Sequence, residues 1–446
     1  MKVLMFTWEF PPLIAGGLGM ACYGMVKAML AQGIKVDLVL PTKEMVYFPL
    51  RDEGDVDSLP VVFMDPVLQN DFSSRTFSDP VERLKYIGVS THPESYHTIG
   101  DIQSFVTRVE KEYLSDGHTN KEEYNLWQQI TTNLDGDNDF ILKVQEFTQR
   151  AERFAKELEY DLIHAHDWLT YPSGMLARKL SGKPLVVHIH ATEFDRAGGP
   201  GNPQVHNIEY AGMTYADRVI AVSKYTAQMI ISRYKVDTAK VRIVHNAFTL
   251  EENRVFTRER IFKGPTILFL GRLTLQKGPD YYLDVAKMVL EKHPQATFIM
   301  AGTGDMARQL LRRSAKMGLK NRFLFAGFLN RKQVEIMLQA SDIYMLPSVS
   351  EPFGISPLEA MAFGVTSIIS KQSGVSEVVH NAYKVDYWDV DLMAETINDL
   401  IENPDKRITM GYRGMKEVNQ IHWTEAADKI RKVYSEVLSQ FLKSQD

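Results

Sequence analysis

The chain has 446 residues, 44% hydrophobic and 24% charged, with a formal net charge of -5. That length is too great for one hydrophobic core and argues for two large domains or three smaller ones, while the mild acidity gives no footprint of a nucleic-acid partner or a polyanionic acceptor. The single cysteine, Cys22, excludes an intrachain disulfide framework and a cysteine metal cage, and fits a reducing compartment.

The chain opens on a strand-like run, Lys2-Val-Leu-Met-Phe6, with no basic segment, apolar core and cleavage site ahead of it, so the expectation is a cytoplasmic protein without an export signal. Glu9, Lys27, Lys35 and Asp37 interrupt the best candidates for the roughly 18 uncharged apolar residues of a membrane helix, and no transmembrane segment is expected. A Gly-containing loop and an amphipathic helix complete the first unit, KVLMFTWEFPPLIAGGLGMACYGMVKAMLAQG, and TILFLGRLTLQKGPDYYLDVAKMVLEKHP repeats that layout from residue 266. Residues 45–135 break the pattern with turn-rich segments and scattered aromatics, and are predicted to be an insertion in the first domain. Helical periodicity returns over about 138–159, ahead of a strand in YDLIHAHDW.

Six continuous apolar runs have no solvated face: Leu185–Val187, Val219–Val222, Thr266–Leu270, Thr297–Met300, Phe323–Phe325 and Ile343–Leu346. Such runs are parallel strands covered on both sides by helices. A charged stretch at about 247–264, closed by Gly264-Pro265, is predicted to be the hinge. The expected architecture is α/β, two Rossmann-like doubly wound parallel-sheet domains facing a central cleft. They span residues 1–247 and 264–420. A C-terminal helix, 421–446, packs back toward the first domain, with Thr424 as its predicted N-cap.

Ligands of such sheets bind beyond the carboxyl ends of the strands, which singles out the residues directly after each one. In the first domain these are Glu9, the Gly16-Gly17-Leu18-Gly19 loop, Asp167-Trp168 and His190; in the second they are Arg272, Lys277, Gly302-Thr-Gly304 and the stretch from Glu351 to Glu359. Arg272 and Lys277 flank one loop, and Gly354-Ile355-Ser356 offers amide hydrogens at a helix start, so together they suit a pyrophosphate. A cation about 4 Å from a leaving diphosphate is worth about 4 kcal/mol at an effective dielectric near 20, before its own desolvation. Ser356-Pro357-Leu358-Glu359 reads as a capping box, and Glu359 is placed to accept both hydroxyls of a ribose.

GRLTLQKG lacks the spacing of a Walker loop, and GGLGM fails the dinucleotide fingerprint. His164, His166, His188 and His190 have strand spacing, so each pair shares a face; His164 and His188 are predicted to be satisfied core histidines, His190 a site residue, and no metal site is expected. Asp135 and Asp137, in LDGDND, read as an acidic turn.

WEFPPLIAGGLGM, HAHDWLTYP, HIHATEF, GRLTLQKG and SEPFGISPLEA occur in an order that resembles the retaining glycosyltransferases of the GT-B fold, above all the glycogen-synthase-like enzymes of families 4 and 5 that make α-1,4-glucans. The resemblance runs along nearly the whole chain except 45–135. It implies that Arg272 and Lys277 hold the diphosphate of a UDP- or ADP-glucose donor, with amides near Gly354 and Ile355 completing the phosphate site. Glu359 would take the ribose, Glu351 hydroxyls of the transferred sugar, and His190 a hydrogen bond to the donor glucose. Gly17 would let its loop approach the phosphate, and Glu9, Asp167 and Trp168 would line the acceptor side. Similar enzymes transfer glucose to an α-glucan with retention, without metal or other cofactor, the leaving phosphate taking the acceptor's proton. A lipid-linked or small glycoside acceptor, or a sugar-nucleotide epimerase, is the alternative reading. Three positions depart from the pattern: Ala15 stands where family 5 synthases carry Lys, which favours the family 4 branch, Ala247 follows Asn246 in place of Gly, and Ser373 replaces a common Gly.

Overall fold

The computed structural model describes residues 1–10, 17–41, 84–88, 139–248 and 261–444. Among these residues the first sheet has seven strands, β1 (Lys2–Phe6), β2 (Lys35–Leu40), β3 (Leu84–Gly88), β4 (Leu162–His166), β5 (Leu185–Ile189), β6 (Arg218–Ala221) and β7 (Val241–Ile243), in the order β3-β2-β1-β4-β5-β6-β7. The second has β8 (Thr266–Leu270), β9 (Thr297–Ala301), β10 (Phe323–Gly327), β11 (Ile343–Leu346), β12 (Thr366–Ser370) and β13 (Tyr383–Val385), in the order β10-β9-β8-β11-β12-β13. Among the described residues every strand pairing is parallel. β4, β5, β9, β11 and β12 are buried along their whole length, as strands covered on both faces must be.

In both sheets the chain runs out to one edge and then returns to the other side of the first strand. The order therefore reverses between β1 and β4 and again between β8 and β11, and a crevice opens beyond the carboxyl ends at each reversal.

Two sequence expectations change here. Within the supposed insertion, Leu84–Gly88 is a strand that extends the first sheet beside β2; the rest of 45–135 and residues 249–260 of the hinge lie outside the described residues, as does the acidic turn at 134–139 except for Asp139, which opens the helix Asp139–Glu157. The last helix, Trp423–Lys443, starts one residue before the predicted cap, with His422 as N-cap, and Thr424 is already inside it. Its early start places Trp423 over Gly24 of the helix Gly17–Ala31, where an added Cβ would lie 2.3 Å from the indole Nε1.

Ala426, Ala427, Ile430 and Tyr434 continue that contact against Cys22, Met25, Val26 and Met29 in one buried cluster. Glu436 of the same helix meets Arg218 at 2.7 Å and also Arg242, so the end of the chain is tied to β6 and β7 by charge as well as by packing.

Candidate active site

The second-domain half of the site begins where β8 ends. The loop Gly271–Gly278 leaves the sheet, makes a 3-10 turn at Leu275–Lys277 and stops at Gly278, whose φ of 63° only glycine adopts without strain. An added Cβ there would lie 2.1 Å from the carbonyl oxygen of Pro347, so this loop is pressed against the exit of β11. The amide of Val349 donates to the carbonyl of Gln276 at 2.9 Å, which locks the two loops together.

Lys277 Nζ thereby lies 2.5 Å from Glu351 Oε2, and the hydroxyl of Ser348 donates to the same oxygen at 3.2 Å. Glu351 is buried because its backbone is stitched to the exit of β12: its amide donates to Gln372 and its carbonyl accepts from Gly374. Gly354, with φ 96°, turns the chain into the helix Ile355–Ala362; a Cβ on it would lie 3.0 Å from Glu351 Cγ. Ammonium, carboxylate and helix start therefore meet at the carboxyl end of β11. Arg272 is exposed on the same loop as Lys277 and donates to Gln276 Oε1 at 3.3 Å. Glu359 is half-buried on the second turn of the helix.

The predicted capping box does not form. Gly354 is the N-cap, and no side chain caps the helix start. Ser356 lies inside the helix, and its hydroxyl is engaged by the hydroxyl of Tyr344, 2.9 Å away on β11. The amides at the start are thus left without a capping side chain, the condition under which a helix N-terminus takes an anion.

In the first domain, His190 follows β5 and Asp167 follows β4. Asp167 has φ 58°, rare for a residue with a Cβ, and this turn aims its Oδ1 at the amides of His190, 2.7 Å away, and Ala191, 3.4 Å away. It therefore positions the backbone of the His190 loop. Burial raises the Asp167 carboxyl, with Arg196 and the two amides pulling it back. His190 Nε2 lies 3.0 Å from His166 Nδ1, and burial pushes the His190 imidazole down to about 3, leaving it neutral. Trp168, expected to line the acceptor side, is 7% exposed and packs in the hydrophobic cluster of the first domain. Gly17 opens its helix with nothing within 4 Å of an added Cβ, and Glu9 is half-buried after β1; Gly16 lies outside the described residues.

Contacts that sequence reasoning did not single out join the halves. Thr192 and Asp195 form a capping box on the short helix Glu193–Ala197, and Asp195 Oδ1 also accepts a hydrogen bond from the hydroxyl of Ser350. Tyr225 donates to the same Ser350 oxygen at 3.0 Å, and Thr226 to the carbonyl of Pro352 at 3.2 Å. Glu377 of the second domain accepts from the amides of Lys224 and Tyr225 and faces His245 Nε2 at 2.8 Å. The loop after His190 is thus fastened to the residue next to Glu351. Asp195 had the signal of a Thr-x-x-Asp spacing, and Ser350 opens the SEPFGISPLEA motif without having been singled out; Tyr225 and Glu377 had no such signal.

Residues 253–417 match the model of the glycosyl transferases group 1, and residues 113–252 that of glycosyltransferase family 4. The chain is a GT-B glycosyltransferase. The group 1 match contains Arg272, Lys277, Glu351 and Glu359 of this glycosyltransferase, and the family 4 match contains Asp167 and His190. An uncharacterized glycosyltransferase of Methanocaldococcus jannaschii is 27% identical over 393 residues, 85% of this chain and 83% of its own. The glycogen synthase of Mycobacterium tuberculosis is 25% identical over 389 residues, 85% of this chain and 80% of its own. The fold of the enzyme is similar to that of sucrose-phosphate synthase from Thermosynechococcus elongatus, with a TM-score of 0.67 over 98% of this chain and 99% of that one, at 17% identity. Among the described residues, no helix of the glycosyltransferase is long and apolar enough to cross a membrane.

Proposed function

We propose that this glycosyltransferase moves glucose, with retention and without a metal in the transfer step, from UDP- or ADP-glucose to an α-1,4-glucan. The observation that carries the reading is the pairing of Lys277 with Glu351 beside the uncapped helix start at Gly354, at the point where the strand order of the second sheet reverses. A cation, free helix amides and a carboxylate at one strand end are the groups that recognition of a diphosphate-sugar calls for, which supports this reading. Similarity to a glycogen synthase, 25% identical over most of both chains, supports the glucan acceptor.

In this mechanism Arg272, Lys277 and the amides at Gly354 and Ile355 hold the diphosphate, Glu359 the ribose, and Glu351 hydroxyls of the glucose. His190, half-buried and neutral, hydrogen-bonds the sugar from the first domain. The bond from the anomeric carbon to the phosphate oxygen breaks, a bond to the acceptor oxygen forms on the same face, and the acceptor's proton passes to the departing phosphate. Charge grows on the diphosphate during this step. Pre-placed donors aimed at that charge are worth more in the transition state than in the ground state, which is what accelerates transfer. Cys22, buried and unpaired by any disulfide, fits action in the reducing cytoplasm.

The test is incorporation of label from UDP-glucose and ADP-glucose into glycogen and into maltooligosaccharides, with no divalent cation added. Label in an α-1,4-linked product from either donor is expected. Transfer to neither acceptor, by an enzyme shown to bind the donor, overturns the glucan reading.

A further inference from the structure

Strand side chains alternate between faces, and β4 and β5 run parallel with His166 opposite His188. His164, His166, His188 and His190 therefore stand on one face of the first sheet, beneath the helix that carries Cys22 and the one that carries Tyr434. The ring centroids of His164 and His166 are 4.2 Å apart, those of His166 and His188 5.1 Å, and those of His164 and His188 5.4 Å. One ring nitrogen from each of these three lies within 4.8 Å of the other two.

The expectation that His164 and His188 are satisfied core histidines does not hold. All three rings are fully buried, yet His164 Nε2, His166 Nε2 and both nitrogens of His188 have no hydrogen-bond partner. Orphaned buried polar atoms are rare because each forfeits its hydration for nothing. Which nitrogens are orphaned matters more than their number. The hydroxyl of Tyr434 holds His164 Nδ1 at 2.6 Å, and His190 Nε2 holds His166 Nδ1 at 3.0 Å. In each of those rings one nitrogen is fixed from outside and the other is left over, the arrangement that orients metal-ligating histidines.

We infer that His164, His166 and His188 form a three-histidine site for a borderline divalent cation such as Zn²⁺ in the core of the first domain, behind the active site. Two histidines alternate on one rigid strand and the third stands on its neighbour, giving three nitrogen donors on a preorganised scaffold. An all-nitrogen set selects against Mg²⁺ and Ca²⁺, which take oxygen. The site stands apart from the transfer step and touches it through one hydrogen bond. With the ion on His166 Nε2, His166 Nδ1 carries the proton and donates to His190 Nε2, so His190 is left with a proton on Nδ1, the atom without a partner of its own. His166 is in this way a positioning residue for His190.

The test uses the full chain, expressed without a histidine tag and analysed for bound metal by mass spectrometry. Close to one zinc ion per chain is expected in the wild type, falling at least tenfold in His188→Leu and in His164→Asn, two variants of different bulk so that one soluble protein suffices. Protein produced with Co²⁺ should show the visible d–d bands of a low-coordinate nitrogen site. Less than a tenth of an ion per chain in the wild type overturns the proposal. So does a sulfur-to-cobalt charge-transfer band abolished by Cys22→Ser, because Cys22, His166 and His190 form a second set within 4.8 Å. None of these readouts depends on donor or acceptor, so the site stands or falls separately from the proposed transfer.

Discussion

Lys277 Nζ lies 2.5 Å from the carboxylate of Glu351, 74 residues further along the chain, with both groups largely withdrawn from water. In the proposed mechanism this pair would hold the ammonium in place before a donor arrives, leaving little reorganisation when charge develops on a diphosphate. Lys277→Ala is therefore expected to lower turnover by roughly 10²- to 10³-fold, the loss typical of one preorganised charge-stabilising donor, while circular dichroism stays native. Turnover within a few-fold of wild type removes Lys277 from the chemistry.

Ser350 stands between the carboxylate of Asp195 and the hydroxyl of Tyr225, and so couples the loop after His190 to the loop of Glu351. A hydrogen bond to a charged group contributes about 1.5–3 kcal/mol, roughly tenfold to a hundredfold in an equilibrium. Ser350→Ala should weaken the approach of the two domains by that order and lower kcat/KM for the donor about tenfold. Small-angle scattering should show a larger radius of gyration. An unchanged radius and rate would mean that Ser350 does not fasten the domains.

Glu377 offers a pH signature. Burial alone raises its carboxyl, but the bond to His245 and the amides of Lys224 and Tyr225 outweigh it, and the folded value lies below the ordinary 4.5. The folded state thus binds this proton less readily than the unfolded one. Its contribution is complete above pH 4.5 and is lost as the pH falls through the lower folded value. Thermal unfolding of Glu377→Gln should show a shallower acid-side decline than the wild type. Parallel curves would show that the contact between domains carries no such linkage.

Gly24 reports on the last helix. A Cβ there would sit 2.3 Å from Trp423 Nε1 and closer than van der Waals contact to two ring carbons. Overpacking of this kind costs about 1–3 kcal/mol, so Gly24→Ala should lower Tm, and adding Trp423→Leu should recover part of the loss. A Tm equal to the wild type's would place Trp423 elsewhere.

How much of this was legible varies with how local the signal is. β8 and β11 coincide with apolar runs because central strands buried on both faces cannot carry an exposed stripe. β12 is buried just as fully but contains Thr366, Ser367 and Ser370, and the Thr366 hydroxyl is satisfied by the carbonyl of Arg407, 41 residues away, which no window of sequence announces. The capping box at Ser356 was a correct local pattern overruled by a tertiary one, since Tyr344 takes the hydroxyl the cap required.

By itself the sequence determined the alternation of strand and helix, the restart that makes two domains, and which residues leave the strands at their carboxyl ends, because periodicity and residue order are local properties of the chain. Only the tertiary structure decided that Lys277 meets Glu351, that Asp195 meets Ser350, and that three histidines converge with nitrogens to spare. Those partners are set by strand order, register and the seating of one sheet against the other, which arise from burying large apolar faces and leave no trace in the spacing of the residues they bring together.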